Sequence, residues 1–130
     1  MLSIPLRDRP EYIRCLIGFY TFLDTSHVDR KEAGASEQVI RAFSPINYLS
    51  LQSKKQIPPM FIARAGRDQI PAVNESIDKF IRIAVEQNPT LDFANHPEGV
   101  HGFDTHNDTL RTREIIARAI AFMKAHLRVD

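Results

Sequence analysis

One hundred and thirty residues, 43% of them hydrophobic and 25% charged, make an ordinary globular composition, which excludes a disordered tail or a collagen-like repeat. Seventeen Lys and Arg against 16 Asp and Glu give a net charge of +1 with no basic run, so nucleic acid is not an expected partner. A chain of this size buries enough surface to fold without a disulfide or structural metal, and its single cysteine, Cys15, cannot form an internal disulfide. Met1 to Leu6 lack the basic and apolar regions of a signal peptide. The longest apolar stretch, Cys15 to Leu23, is far short of the ~20 residues of a membrane span. A cytoplasmic protein without membrane contact is expected.

Ile13 to Phe22 is dense in Ile, Leu, Phe and Tyr and predicts a strand buried on both faces. Asp29 to Ser36 reads as a loop. Ser36 then caps a short helix with Val39, Ile40 and Phe43 on one face, and Ser44-Pro45 stops it. Past Pro58-Pro59, Met60 to Ala63 predicts a second buried strand, closed by a tight turn at Gly66 that carries Asp68. From Val73 onward, the spacing of Ile77, Phe80, Ile81, Ala84 and Val85 predicts an amphipathic helix ending near Asn88-Pro89. Leu91 to Ala94 is a third strand. After a loop rich in His, Pro and Gly, Asp108 or Thr109 caps a last helix with the stripe Ile116, Ala119, Ile120, Met123 and Leu127. Strands alternating with helices predict an α/β fold, a three-layer α/β/α arrangement of about three parallel strands with crossover helices, in one domain over residues 1–130.

Open parallel sheets bind ligands where their strands end, because loops and helix starts converge there. Two turns take that position, Gly66 to Pro71 and His96 to Phe103. Asp68 on one and His101 on the other can meet across neighbouring loops. That is the pair a hydrolytic nucleophile needs: the imidazole takes the hydroxyl proton and the carboxylate fixes its tautomer. Spacing alone leaves open that Asp68 is a turn residue and His101 a loop histidine. His96, His101 and His106, with Asp104 and Asp108 nearby, make a poor metal set, since five-residue spacing in a loop fixes no coordination geometry. Tyr20 and Phe103 either line an acyl pocket or pack.

From Ser44-Pro45, through Pro58-Pro59-Met60-Phe61-Ile62-Ala63-Arg64-Ala65-Gly66-Arg67-Asp68, to Pro97-Glu98-Gly99-Val100-His101-Gly102-Phe103, the chain resembles the C-terminal half of an α/β-hydrolase. Within that superfamily it is most similar to the dienelactone-hydrolase and small-esterase branch, over roughly residues 12 to 127. The resemblance implies that Asp68 is the triad acid and His101 the triad base of an ester or related acyl-bond hydrolase that uses no cofactor and no metal. The family also carries a G-x-S-x-G elbow upstream of the acid. None of Ser3, Ser26, Ser36, Ser44, Ser50, Ser53 and Ser76 stands in one; Gly34-Ala35-Ser36-Glu37-Gln38 comes nearest and lacks the second glycine. Cys15 has no flanking elbow glycines and reads as an inert core thiol.

By the same resemblance, Ile13 to Phe22 is the strand that follows the elbow, Met1 to Pro10 is the remnant of the elbow helix, and the oxyanion-hole loop is missing. The expected activity is hydrolysis of a small-molecule ester once the nucleophile half is supplied, the isolated chain being inactive. The alternative is a non-catalytic binding or assembly module built on the same half-fold. As an edge that is apolar on both faces and free of proline, Ile13 to Phe22 is expected to pair with the missing half or with a second copy.

Overall fold

The computed structural model describes residues 2–51 and 55–127, so Met1 and Ser53 lie outside the described residues. Its layers follow from the middle strand of the sheet, β2 (Met60–Ala65). Met60 and Ile62 face one side, Phe61, Ala63 and Ala65 face the other, and all five are fully buried. A strand apolar on both faces demands cover on both. Beneath Met60 and Ile62 lie Leu6 of α1 (Ser3–Asp8) and Val73, Ile77, Phe80 and Ala84 of a longer helix. Over Phe61 and the two alanines lie Phe103, Ile115 and Ala119 from helices near the C-terminus. The flanking strands β1 (Leu16–Phe19) and β3 (Leu91–His96) both run parallel to β2, in the order β1-β2-β3. This is the expected three-layer α/β/α arrangement.

β1 is shorter than the predicted Ile13 to Phe22, and it is not buried on both faces. Leu16 and Gly18 are buried, while Ile17 and Phe19 are half-buried. Its pairing runs from Leu16 opposite Met60 to Phe19 opposite Ala63, and then Tyr20, at φ 35, turns the chain out of the strand. β2 and β3 each run two residues further than predicted, because their register continues through Ala65 opposite His96. His96 therefore belongs to a strand end instead of a loop.

The connection from β1 to β2 holds two short helices. The first, α2 (Arg30–Ala33), lies where a loop is predicted: the Asp29 side chain accepts from the N–H groups of Lys31 and Glu32 and caps it, and Gly34 ends it. The second, α3 (Glu37–Ala42), has the expected Ser36 cap, at 3.3 Å from the Val39 N–H, but its apolar face is open, with Val39 44% and Phe43 41% exposed. A 3-10 turn, Pro45–Tyr48, follows. Arg9 fastens α1 to this connection. Its buried guanidinium donates to the carbonyls of Leu6, Tyr48, Leu51 and Lys55.

Between β2 and β3, α4 (Val73–Glu86) buries Val73, Ile77, Phe80 and Ala84 of the predicted stripe, leaves Ile81 half-buried and Val85 64% exposed, and ends just before Asn88-Pro89. After β3 come α5 (Phe103–His106) and α6 (Leu110–His126). Thr109, not Asp108, caps α6, accepting from the Thr112 N–H, while Asp108 pairs with Arg113. The buried stripe is Thr112, Ile115 and Ala119, whereas Ile120 and Leu127 are 42% and 50% exposed. The predicted stripe is thus rotated about the helix axis. On the buried side Thr112 bonds the buried ring of His96, and Ile115 and Ala119 pack with Phe61 and Phe103. Among the described residues, no helix is long and apolar enough to cross a membrane.

Candidate active site

β2 and β3 end side by side, and their exits stay fastened after the strands stop. The Gly66 N–H donates to the His96 carbonyl and the Arg67 N–H to the Gly99 carbonyl, both at 2.8 Å. A Cβ on Gly66 would collide with the Pro97 carbonyl, so only glycine lets the two exits approach this closely. Gly102, at φ 80, turns the second exit into α5 directly after His101. These two glycines, both visible as punctuation in the sequence, set Asp68 and His101 face to face.

His101 Nδ1 lies 2.8 Å from Asp68 Oδ2. The Asp68 side chain is 1% exposed and the His101 side chain 30%. The second carboxylate oxygen of Asp68 accepts from the Ile70 N–H at 2.9 Å, and the His101 N–H donates to Gln69 Oε1 at 3.2 Å. A buried carboxylate on Nδ1 selects the imidazole tautomer with its proton there and an open lone pair on Nε2. Among the described residues, Nε2 has no hydrogen-bond partner. Such an arrangement can serve as an oriented general base.

Tyr20 comes to the same place from the exit of β1. Its ring centroid is 4.4 Å from that of His101, and its hydroxyl donates to Asp104 Oδ1 at 2.5 Å. Burial, then the carboxylates of Asp104 and Asp68, push the phenol up to about 12, so it stays neutral. Phe103 is fully buried and packs edge-on to Tyr20 at 5.7 Å. Of the two aromatics flagged in the sequence, Phe103 is core, and Tyr20 touches the imidazole.

The three histidines do not converge. His96 is 3% exposed, with Nε2 at 3.0 Å from Thr112 Oγ1 and 3.3 Å from Thr109 Oγ1, and the His106 ring packs beside Gly102. Among the described residues, no group of three His, Cys, Asp or Glu side chains could hold a metal ion. Three serine hydroxyls are engaged elsewhere, while Ser3 Oγ is buried without a hydrogen-bond partner among the described residues. Ser76 accepts the N–H groups of Leu23 and Asp24, Ser44 accepts that of Thr25, and Ser36 caps α3. Cys15, its thiol pushed up by burial, precedes β1 at the opposite end of the sheet from His101.

One buried group escapes a sequence reading altogether. Asp24 is 6% exposed and bonds Lys79 Nζ at 2.5 Å, the Ser26 N–H at 2.9 Å and Ser44 Oγ at 3.4 Å. Burial pushes its carboxyl up, but the bonds from Lys79 and Ser26 outweigh that and hold it below the ordinary value. A cleft of about 360 Å³ opens beside it, lined by Arg30, Glu37, Ile40, Arg41 and Lys79 among others, and its lining includes neither Asp68 nor His101.

Among solved structures, the chain is similar to esterase 2 of the planctomycete Thermogutta terrifontis. The tabun-phosphoramylated form aligns at a TM-score of 0.66 and 20% identity, over 86% of this chain and 41% of that one. The native form gives 0.65 and 19% over 86% and 42%, and the butyrate-bound form 0.63 and 21% over 86% and 43%. The fold is that of part of an α/β-hydrolase. The chain spans less than half the length of the esterase it matches. No protein-family model and no curated protein matches it. Seen as part of an α/β-hydrolase sheet, the Asp68–His101 contact lies at the carboxyl ends of the strands, and among the described residues β1 and β3 are its two edge strands.

Proposed function

We propose that this chain carries the acid and the base of an ester-hydrolysing triad, of the dienelactone-hydrolase and small-esterase kind, and that its nucleophile comes from a segment outside the described residues. The carrying observation is the 2.8 Å contact between a buried Asp68 and a partly exposed His101 whose Nε2 is unengaged. The order of the Gly66-Arg67-Asp68 and Gly-x-His-Gly-Phe motifs supports the branch. Nε2 takes the proton of the nucleophilic hydroxyl as its oxygen attacks the ester carbonyl, Asp68 stabilises the imidazolium, and the same proton passes to the departing alcohol. Water then repeats the sequence on the acyl-enzyme. The nucleophile-bearing segment pairs with the open edge of β1, and a reducing cytoplasmic setting suits the free thiol of Cys15.

The chain alone is expected to show no burst with an activated short-chain ester and no covalent labelling by a fluorophosphonate. Labelling that disappears in Ser36→Ala would overturn the assignment of the nucleophile. The genomic DNA upstream of the Met1 codon is the second test. A reading frame ending in G-x-S-x-G, joined to this chain, should yield ester turnover that His101→Gln lowers about 10³- to 10⁴-fold in kcat. An extended chain without that motif and without turnover would instead make the protein a non-catalytic module.

A further inference from the structure

We infer that Tyr20 is a positioning residue for His101, held in place by Asp104. This rests on the reading of Asp68 and His101 as a proton-transfer pair and adds the part that fixes the imidazole plane. Asp68 restrains one nitrogen of the ring, but a single hydrogen bond leaves the ring free to rock about it. The Tyr20 ring, 4.4 Å away and inclined at 58°, closes one face of the imidazole and limits that motion.

Tyr20 is built for this at some cost. At φ 35 it occupies the left-handed region that a bulky side chain avoids, and such a conformation persists only where the surroundings hold it. Four contacts do so. The Tyr20 N–H donates to the Ala63 carbonyl at 2.8 Å, tying the backbone to β2; Phe19 and Phe103 pack edge-on at 6.2 and 5.7 Å; and the hydroxyl reaches Asp104 in α5. Because α5 starts immediately after His101 and Gly102, the Tyr20–Asp104 bond links the exit of β1 to the segment that carries the imidazole. The ionisable groups around the ring are Asp68, Asp104 and Tyr20, and the neutral phenol adds no charge beside the imidazole.

Nitrogen-15 NMR of the isolated chain, at a pH where His101 is neutral, tests this directly, because the Nδ1 and Nε2 shifts report the tautomer. The wild type should hold the proton predominantly on Nδ1. Tyr20→Leu and Asp104→Ala should each lower that preference by about three- to tenfold, the range one hydrogen bond supports. Asp104→Asn, which keeps an acceptor for the phenol, should restore it. An unchanged tautomer ratio in Asp104→Ala, with an otherwise native spectrum, overturns the proposal, and that exposed site decides alone should Tyr20→Leu fail to fold. Asp68→Asn separates the two ideas. If it too leaves the ratio unchanged, the proton-transfer reading itself fails and this proposal with it; if it abolishes the preference while Asp104→Ala does not, only the role of Tyr20 fails.

Discussion

The connection from β2 to β3 and the connection from β1 to β2 both join neighbouring parallel strands, yet they are built by opposite means. The first is one helix, α4, whose Val73, Ile77, Phe80 and Ala84 are completely buried against the sheet. The second is long and irregular, and neither of its helices, α2 and α3, buries a residue. What holds it down is partly apolar, through Leu23, Ile46 and Leu49, which are buried in the same core as the α4 stripe, and partly polar: the Asp24 carboxylate with Lys79, Ser26 and Ser44, and the Ser76 hydroxyl accepting two backbone N–H groups. One crossover is secured by the apolar face of a regular helix; the other combines buried side chains on irregular backbone with a few buried hydrogen bonds that pin it to α4, to which Ser76 and Lys79 both belong.

Substitutions should sort accordingly. Phe80→Ala should cost the most, about 3–5 kcal/mol in urea unfolding, because it empties a fully buried site between helix and sheet. Ser76→Ala should cost about 2 kcal/mol, since it strands the N–H groups of Leu23 and Asp24 without an acceptor; a loss no larger than that of a surface alanine would mean that the long connection is not pinned there. Acid gives the third measure. The folded-state pKa of Asp24 lies below its unfolded value, so its contribution is fully present above the unfolded value, near 3.9, and is lost as the pH falls through the lower, folded one. Asp24→Asn should therefore flatten the acid limb of the stability profile, and an unchanged limb would remove Asp24 from the account. Val39→Ser, on the open face of α3, should stay within about 0.5 kcal/mol of wild type.

The same division explains how much was legible in the sequence. Helix α4 was readable because one apolar stripe with a 3.6-residue period meets one sheet face, and the first four residues of β2 because they are all apolar, Arg64 lying beyond them. The Asp68–His101 approach was readable because both residues stand on loops that follow neighbouring strands, and because the family resemblance pairs them; spacing alone left it open. Features decided by contacts between distant residues were not. The buried side of α6 carries Thr112, whose partner is His96 on β3, a contact no local pattern encodes. The end of β1 coincides with Tyr20 adopting a positive φ, which is held by contacts with Ala63, Phe103 and Asp104, all distant in the chain, as well as with its neighbour Phe19. Asp24 looks like an ordinary loop aspartate until the fold brings Lys79 and Ser44 to it.

Parallel order also gives this sheet a direction, and the uncovered side of β1 inherits it. Leu16 and Tyr20 spend their N–H groups on β2, at Pro59 and Ala63, which leaves the amides and carbonyls of Ile17 and Phe19 pointing to the open side. A strand that docks there running the same way as β1 delivers the residues that follow it to the His101 end of the sheet. One that docks in the reverse sense delivers the residues that precede it. The backbone of four residues thus acts as a compass for any incoming chain, and orientation alone decides which of its ends arrives beside the imidazole.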